Sequence, residues 1–201
     1  MRATVVVPCA LVLFGALAPA APVPKHLMPK EPPFSFPAVK GTKWVYDRGG
    51  NEETHVITSA EPQKSGGTLV TVEREVAGYQ TQAHQKLLIT EREWFLVEET
   101  GQPYDPPWSM FKLPLGEDRT CEFDVSRADL GARLKGTKTQ AGKTEQLKLP
   151  AGTFDAVKVE TRDAAGGLGI SVTHWHASGV GLVQISLNQP YLTLKAFVPG
   201  R

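Results

Sequence analysis

Residues 65–78 read SGGTLVTVEREVAG, and this stretch decides the fold. A Ser-Gly-Gly turn opens it, and Ala77-Gly78 closes it. Between the turns Val70, Val72 and Val76 share one parity. Alternation with period two lays these side chains on one face of an extended strand. Serine and glycine at the ends supply turn chemistry.

The same unit recurs along the chain. Residues 42–46 carry Trp44 and Tyr46 on one face and run into Gly49-Gly50-Asn51. Strands are expected at 54–59, 81–90, 94–97 and 120–125. Segments 132–139 and 144–149 flank Gln140-Ala141-Gly142-Lys143, which reads as a hairpin turn. Further strands are expected at 154–161, 170–176, 182–187 and 192–198. The proline-bound stretch GQPYDPPWS, 101–109, reads as a loop, and 126–129 as one helical turn. Short strands separated by turns about every 8–12 residues mark an antiparallel sandwich, barrel or curved sheet. No helical apolar stripe appears beyond the N-terminus. The expectation is an all-β antiparallel meander forming a strongly curved sheet, half-barrel or barrel, with little helix.

The N-terminus has its own texture. Met1-Arg2 precedes the apolar run ATVVVPCALVLFGALAP, and Ala18-Pro19-Ala20 offers a small-x-small cleavage site. That is the three-part layout of a secretory signal peptide. The run is shorter than the about 20 apolar residues of a membrane helix, so no span is expected after cleavage. Residues 21–40 are proline-rich and read as an extended tether. The organisation is then signal peptide 1–20, tether 21–40 and one β domain 41–201, exported to the periplasm or beyond. Cys9 leaves with the signal, so Cys121 has no intramolecular partner. Its strand pattern reads as a buried free thiol acting as a small apolar residue.

The chain has 201 residues and a formal net charge of +1. This balance gives no electrostatic reason to expect nucleic acid as a partner. No nucleophile elbow or phosphate-binding loop is present. Glu91 and Glu93 could sit on one strand face as an acid–base pair, but charges flanking an apolar strand usually keep it soluble.

His174-Trp175-His176 is the one metal-like spacing. Residues i and i+2 project from one strand face, so two imidazoles can approach a common ion. A site needs further ligands. His55 and His84 lie in other expected strands, and His26 lies in the tether. If Ile170 and Val172 face the core, both histidines point inward; if Trp175 faces the core, they point to solvent. Tyr104, Trp108, Phe111 and Trp175 are the candidate ligand-binding aromatics. Three of them sit in or beside the proline-stiffened stretch, where little entropy is lost on binding.

LPAGTFDAVKVET at 149–161, THWHASGVGLVQIS at 173–186, GTKWVY and FKLPLG together resemble a pattern in families of exported β-rich bacterial proteins. Some of these are similar in architecture to periplasmic lipoprotein carriers. The resemblance implies a curved antiparallel sheet holding an acyl chain, and implies no catalytic residues. The expected function is therefore non-enzymatic: an envelope-associated binding protein that takes a lipid, another apolar small molecule or an envelope protein. No catalytic residue and no cofactor is assigned. A metal-dependent enzyme using His174 and His176, and a structural assembly subunit, stand as alternatives.

Overall fold

A computed structural model describes residues 34–76, 82–131, 133–163 and 171–201. The expected signal peptide and residues 21–33 of the tether lie outside the described residues. Twelve strands follow one another in the chain. They are β1 (Lys43–Arg48), β2 (Asn51–Pro62), β3 (Thr68–Val76), β4 (Gln82–Ile89), β5 (Glu93–Glu99), β6 (Gln102–Lys112), β7 (Arg119–Arg127), β8 (Arg133–Leu149), β9 (Gly152–Asp163), β10 (Ser171–Ala177), β11 (Gly181–Ser186) and β12 (Pro190–Val198). Each pairs antiparallel with its chain neighbours, and β12 pairs with β1 to close a barrel. The one helical element among the described residues is a 3-10 turn, Ala128–Leu130. Closure gives every strand two neighbours, although β6 and β7 meet only at Tyr104↔Arg127 and Asp105↔Ser126.

The expected all-β meander is thus a closed barrel. Two local expectations are corrected. Residues 140–143 are no hairpin turn: β8 runs through them with a register shift between Gln140 and Thr144. A bulge absorbs the glycine that resembled a turn signal. Residues 102–109 are no loop either, since β6 takes them in and only Gly101 remains in the turn before it. Pro106 and Pro107 are tolerated because the β5–β6 register jumps between Leu96 and Glu98, so they fall where the ladder is interrupted.

Every strand parity places one set of side chains inside. Trp44, Tyr46, Ile57, Val70, Val72, Trp94, Leu96, Val157, Val159 and Leu194 are buried. Each fully buried large apolar side chain contributes about 1.5–3 kcal/mol. Cys121 is only half-buried. It lies on β7, which pairs with β6 at Tyr104↔Arg127 and Asp105↔Ser126 alone.

An eight-stranded barrel is just filled by its own side chains, and width grows with strand number. Twelve strands leave more interior than their side chains fill. Two devices take up part of it. Phe34 and Phe36, ahead of β1, enter the end of the barrel that carries the β10–β11 turn. Phe34 stacks on Phe111 with ring centroids 4.9 Å apart, and Phe36 meets Trp94 edge-on at 5.3 Å. Ser35 ties this segment to the turn through Ser178 Oγ and the Gly179 amide. Gly181 is required beneath it: its φ is +86°, and a Cβ there would stand 3.2 Å from the Phe36 ring. The second device is polar. Gln140 and Lys138 of β8 reach the backbone of β6 where β7 has left it.

Candidate functional site

What remains of the interior is a pair of adjoining chambers. The first, about 100 Å³, is lined by Phe36, Trp44, Leu87, Ile89, Trp94 and His176 among others. The second, about 260 Å³, is lined by Arg48, Glu53, Arg74, His84, Glu99 and Trp108 among others. They share His55, Gln85, Met110, His174, Leu182 and Ile185 as walls. The first chamber is mostly apolar, and its neighbour carries Arg48, Glu53, Arg74 and Glu99.

The charged side chains come from the upper halves of β1 to β5, towards the β1–β2 turn. Glu53 and His55 are two residues apart on β2 and both point inward. His55 Nε2 and Glu53 Oε1 are hydrogen-bonded at 2.6 Å. Arg48 Nη1 donates to Glu53 Oε2 at 3.1 Å, and Arg74 lies 4.0 Å from Oε1. Burial pushes the Glu53 carboxyl up, but the His55 and Arg48 hydrogen bonds and the Arg74 charge outweigh it and hold it down at about 2. The carboxylate is therefore ionised at neutral pH.

His84 joins this group from β4. Its ring centroid is 4.5 Å from that of His55. Val72 pairs with Gln85 and Glu73 with Ala83, so His84 is the unpaired residue of a bulge. A bulge re-aims a side chain that strict alternation would send elsewhere. Burial, then the neighbouring His55 and Arg74, push the His84 imidazole down to about 3. Its Nδ1 is buried without a hydrogen-bond partner.

His174 and His176 both point inward, with ring centroids 6.3 Å apart. Burial lowers His174 to about 4; burial, then the neighbouring His174 and Lys138, lower His176 to about 3. His176 packs edge-on to Trp94, and neither of its ring nitrogens has a hydrogen-bond partner. Among the described residues, one trio of ligating side chains lies within reach of a common ion: Glu53, His55 and His84. It contains neither His174 nor His176. His55 and His84, which the sequence places in separate expected strands, thus form the cluster with Glu53.

The four candidate aromatics separate. Trp108 lines the polar chamber, packed against Tyr104 and Phe123 at ring separations of 5.7 and 5.4 Å. Tyr104 is buried beside it, and its hydroxyl donates to Glu99 Oε2 at 2.9 Å. Burial and the Glu99 charge raise its pKa. Arg127 pairs with the same carboxylate and lies over the Tyr104 ring. Phe111 is fully buried in the stack with Trp94 and Phe34. Trp175 sits on the opposite parity from His174 and His176, and its indole N–H donates to Glu145.

One further pair has a catalytic look. Lys138 Nζ lies 3.0 Å from Ser109 Oγ, and burial lowers the lysine. Ser109 Oγ already donates its proton to Glu93, and Lys138 also donates to the Ser109 carbonyl at 2.6 Å. Those bonds tie strands together and leave the hydroxyl no free base.

No protein-family model matches the chain, and no curated protein matches it. Solved structures similar to it include a candidate lipoprotein from Parabacteroides distasonis, 19% identical with a TM-score of 0.49, covering 84% of this chain and 100% of the other. A second is a candidate exported protein with a YmcC-like fold from Bacteroides fragilis, 16% identical with a TM-score of 0.48, covering 83% of this chain and 99% of the other.

Proposed function

We propose that this barrel is an exported, envelope-associated binding protein that holds a small apolar or amphipathic molecule inside its wall. The observation that carries the reading is the adjoining pair of chambers, one mostly apolar and one charged, which share six side chains. Ligand sites are concave and mostly apolar, with a few placed polar groups. Trp44, Leu87, Ile89 and Trp94 suit a ring or short chain, and Arg48, Arg74 and His84 suit its polar end. Size limits the ligand. A cavity of about 150 Å³ holds a benzene ring, so chambers of about 100 and 260 Å³ take a compact molecule before they take a long acyl chain. Export rests on the sequence of residues 1–20.

The test is a fluorescence titration with 1-aminoanthracene as the apolar probe, on the protein and on Leu87→Trp, which fills the apolar chamber. The expected result is saturable binding that weakens by at least about tenfold, or 1.4 kcal/mol, in the variant. Equal affinity in both proteins would place the probe outside the barrel and end the proposal. Native mass spectra of the protein from a bacterial host would show any co-purified ligand as a mass that mild activation removes.

A further inference from the structure

We propose that Glu53, His55 and His84 bind a divalent transition cation of the zinc class, with at least one coordination position open to the polar chamber.

The donor set suits that ion. Two imidazoles and one carboxylate are a recurrent ligand set for zinc and for other first-row divalent ions that keep an open position. The geometry is close. The three ligating atoms all lie within 4.8 Å of one another. Two ligands on a tetrahedral zinc stand about 3.4 Å apart, because each bond is about 2.1 Å. Closing the trio around an ion therefore takes at most about 1.4 Å between the most distant pair, shared between two side chains. The 2.6 Å bond between His55 and Glu53 opens at the same time.

Two features are unexplained without a ligand. His84 is carried on a bulge that turns it inward, and its Nδ1 is buried with nothing to bond. A buried polar nitrogen left unpaired costs about 1–3 kcal/mol. A cation bound there would give that nitrogen a partner. The outer contacts are also those of a ligating carboxylate. Arg48 holds the Glu53 oxygen that faces away from His55, as outer-shell partners do when they orient a ligand. Arg74, 4.0 Å from the other oxygen, is a positive charge against the ion. Its presence makes an anionic fourth ligand, a carboxylate or hydroxide, the favoured occupant of the open position. An acid entering the chamber would meet the metal head-first and leave its apolar part towards Trp44 and Trp94.

This inference does not depend on the apolar-ligand reading. The protein, purified without a histidine tag, is stripped with EDTA. It is then titrated with Zn²⁺ against a chromophoric chelator, and separately with Co²⁺ followed by visible absorption. One equivalent of each ion is expected, with cobalt bands of a low-coordinate N/O site. Loss of an outer-shell partner costs about 10–100-fold in affinity. His84→Gln and Glu53→Gln remove direct ligands and should cost at least that, while His174→Gln/His176→Gln should not. An unchanged circular dichroism spectrum and a single cooperative urea transition show that the variants are folded. Wild-type affinity for Zn²⁺ in His84→Gln, or no stoichiometric uptake by the parent protein, overturns the proposal. Either result leaves the apolar-probe titration, and so the reading above, untouched.

Discussion

Gln140 holds both backbone polar groups of Lys112. Its Oε1 accepts from the Lys112 amide at 2.8 Å and its Nε2 donates to the Lys112 carbonyl at 2.7 Å. A β-strand neighbour would make these two bonds in an ordinary ladder. Here one side chain from β8 makes them, because β7 pairs with β6 only near Tyr104 and Asp105. Gln140→Leu strands a buried donor and a buried acceptor at about 1–3 kcal/mol each. We expect a loss of about 2–4 kcal/mol in urea unfolding, with the m-value unchanged. A loss below about 0.5 kcal/mol, the scatter of an ordinary surface change, would mean that the bond is replaceable.

Phe36 and Gly181 form the fitted end of the barrel. Gly181→Ala must hold an L-residue at φ +86° and push its Cβ to 3.2 Å from the Phe36 ring. The left-handed backbone alone costs about 1–2 kcal/mol. Phe36→Ala should cost about 2–3 kcal/mol, below the range for a fully buried phenylalanine, because Phe36 is only half-buried. The double variant should lose less than the sum, since removing the ring relieves the added methyl. Thermal or urea unfolding of the four proteins measures that coupling.

Tyr46 is fully buried, and its hydroxyl donates to the Leu182 carbonyl at 2.8 Å. Burial and the Glu53 charge raise its pKa beyond reach of ordinary titration. Tyr46→Phe keeps the ring and leaves the carbonyl bare, for an expected loss of about 1–2 kcal/mol. A spectrophotometric titration below the unfolding pH should show the same number of ionising tyrosines in the native protein and in Tyr46→Phe, because Tyr46 stays silent in the folded state.

Stability should fall in mild acid. His174 is held at about 4 and His176 at about 3, both below the usual 6.5. The part of His174 not covered by protein faces the chambers, and His176 faces Trp94, Phe111 and Val157 with Lys138 beyond. Between these values and 6.5 the unfolded chain binds protons that the folded chain refuses. Stability therefore rises with pH across this window and is lost as pH drops from about 6.5 towards 4, by about 1.4 kcal/mol per pH unit for each histidine. Glu53, held at about 2, adds a loss of the same sign below about 4.5. Urea midpoints in EDTA at pH 7.5, 6 and 5 test this. His174→Gln/His176→Gln should flatten the slope, and an unchanged slope would assign the acid sensitivity elsewhere.

The barrel was legible where period and turn chemistry agreed. Residues 65–78 show why: Val70 and Val72 are buried as their parity predicts. The same strand shows where legibility stops. Arg74 shares that parity and faces the polar chamber, a position that an apolar pattern marks as core. His84 escapes period-two reading because a bulge resets the count between Ala83 and Gln85. The spacing of Glu53 and His55 was a usable signal, since i and i+2 share a face, but the partner strand was two strands away. Gly142 resembled a hairpin turn, and only the position of β9 and β7 on either side of β8 makes a continuous strand the better solution. Trp175 is aromatic on an outward face, where Glu145 on β8 takes its indole proton.

Closure joins Trp44 to Phe197, two strands at opposite ends of the described sequence. Nearest-neighbour hairpins can form as soon as their turns emerge, but the last seam waits for nearly the whole chain. Pairings of large sequence separation are slow, because loop-closure entropy is lost before contacts reward it. Until β12 docks, both β1 and β11 present open edges and the chambers have no fourth wall. A partly folded chain is therefore more of an aggregation hazard than the finished barrel, and an apolar ligand that fits the interior is enclosed only after the C-terminal strand has arrived.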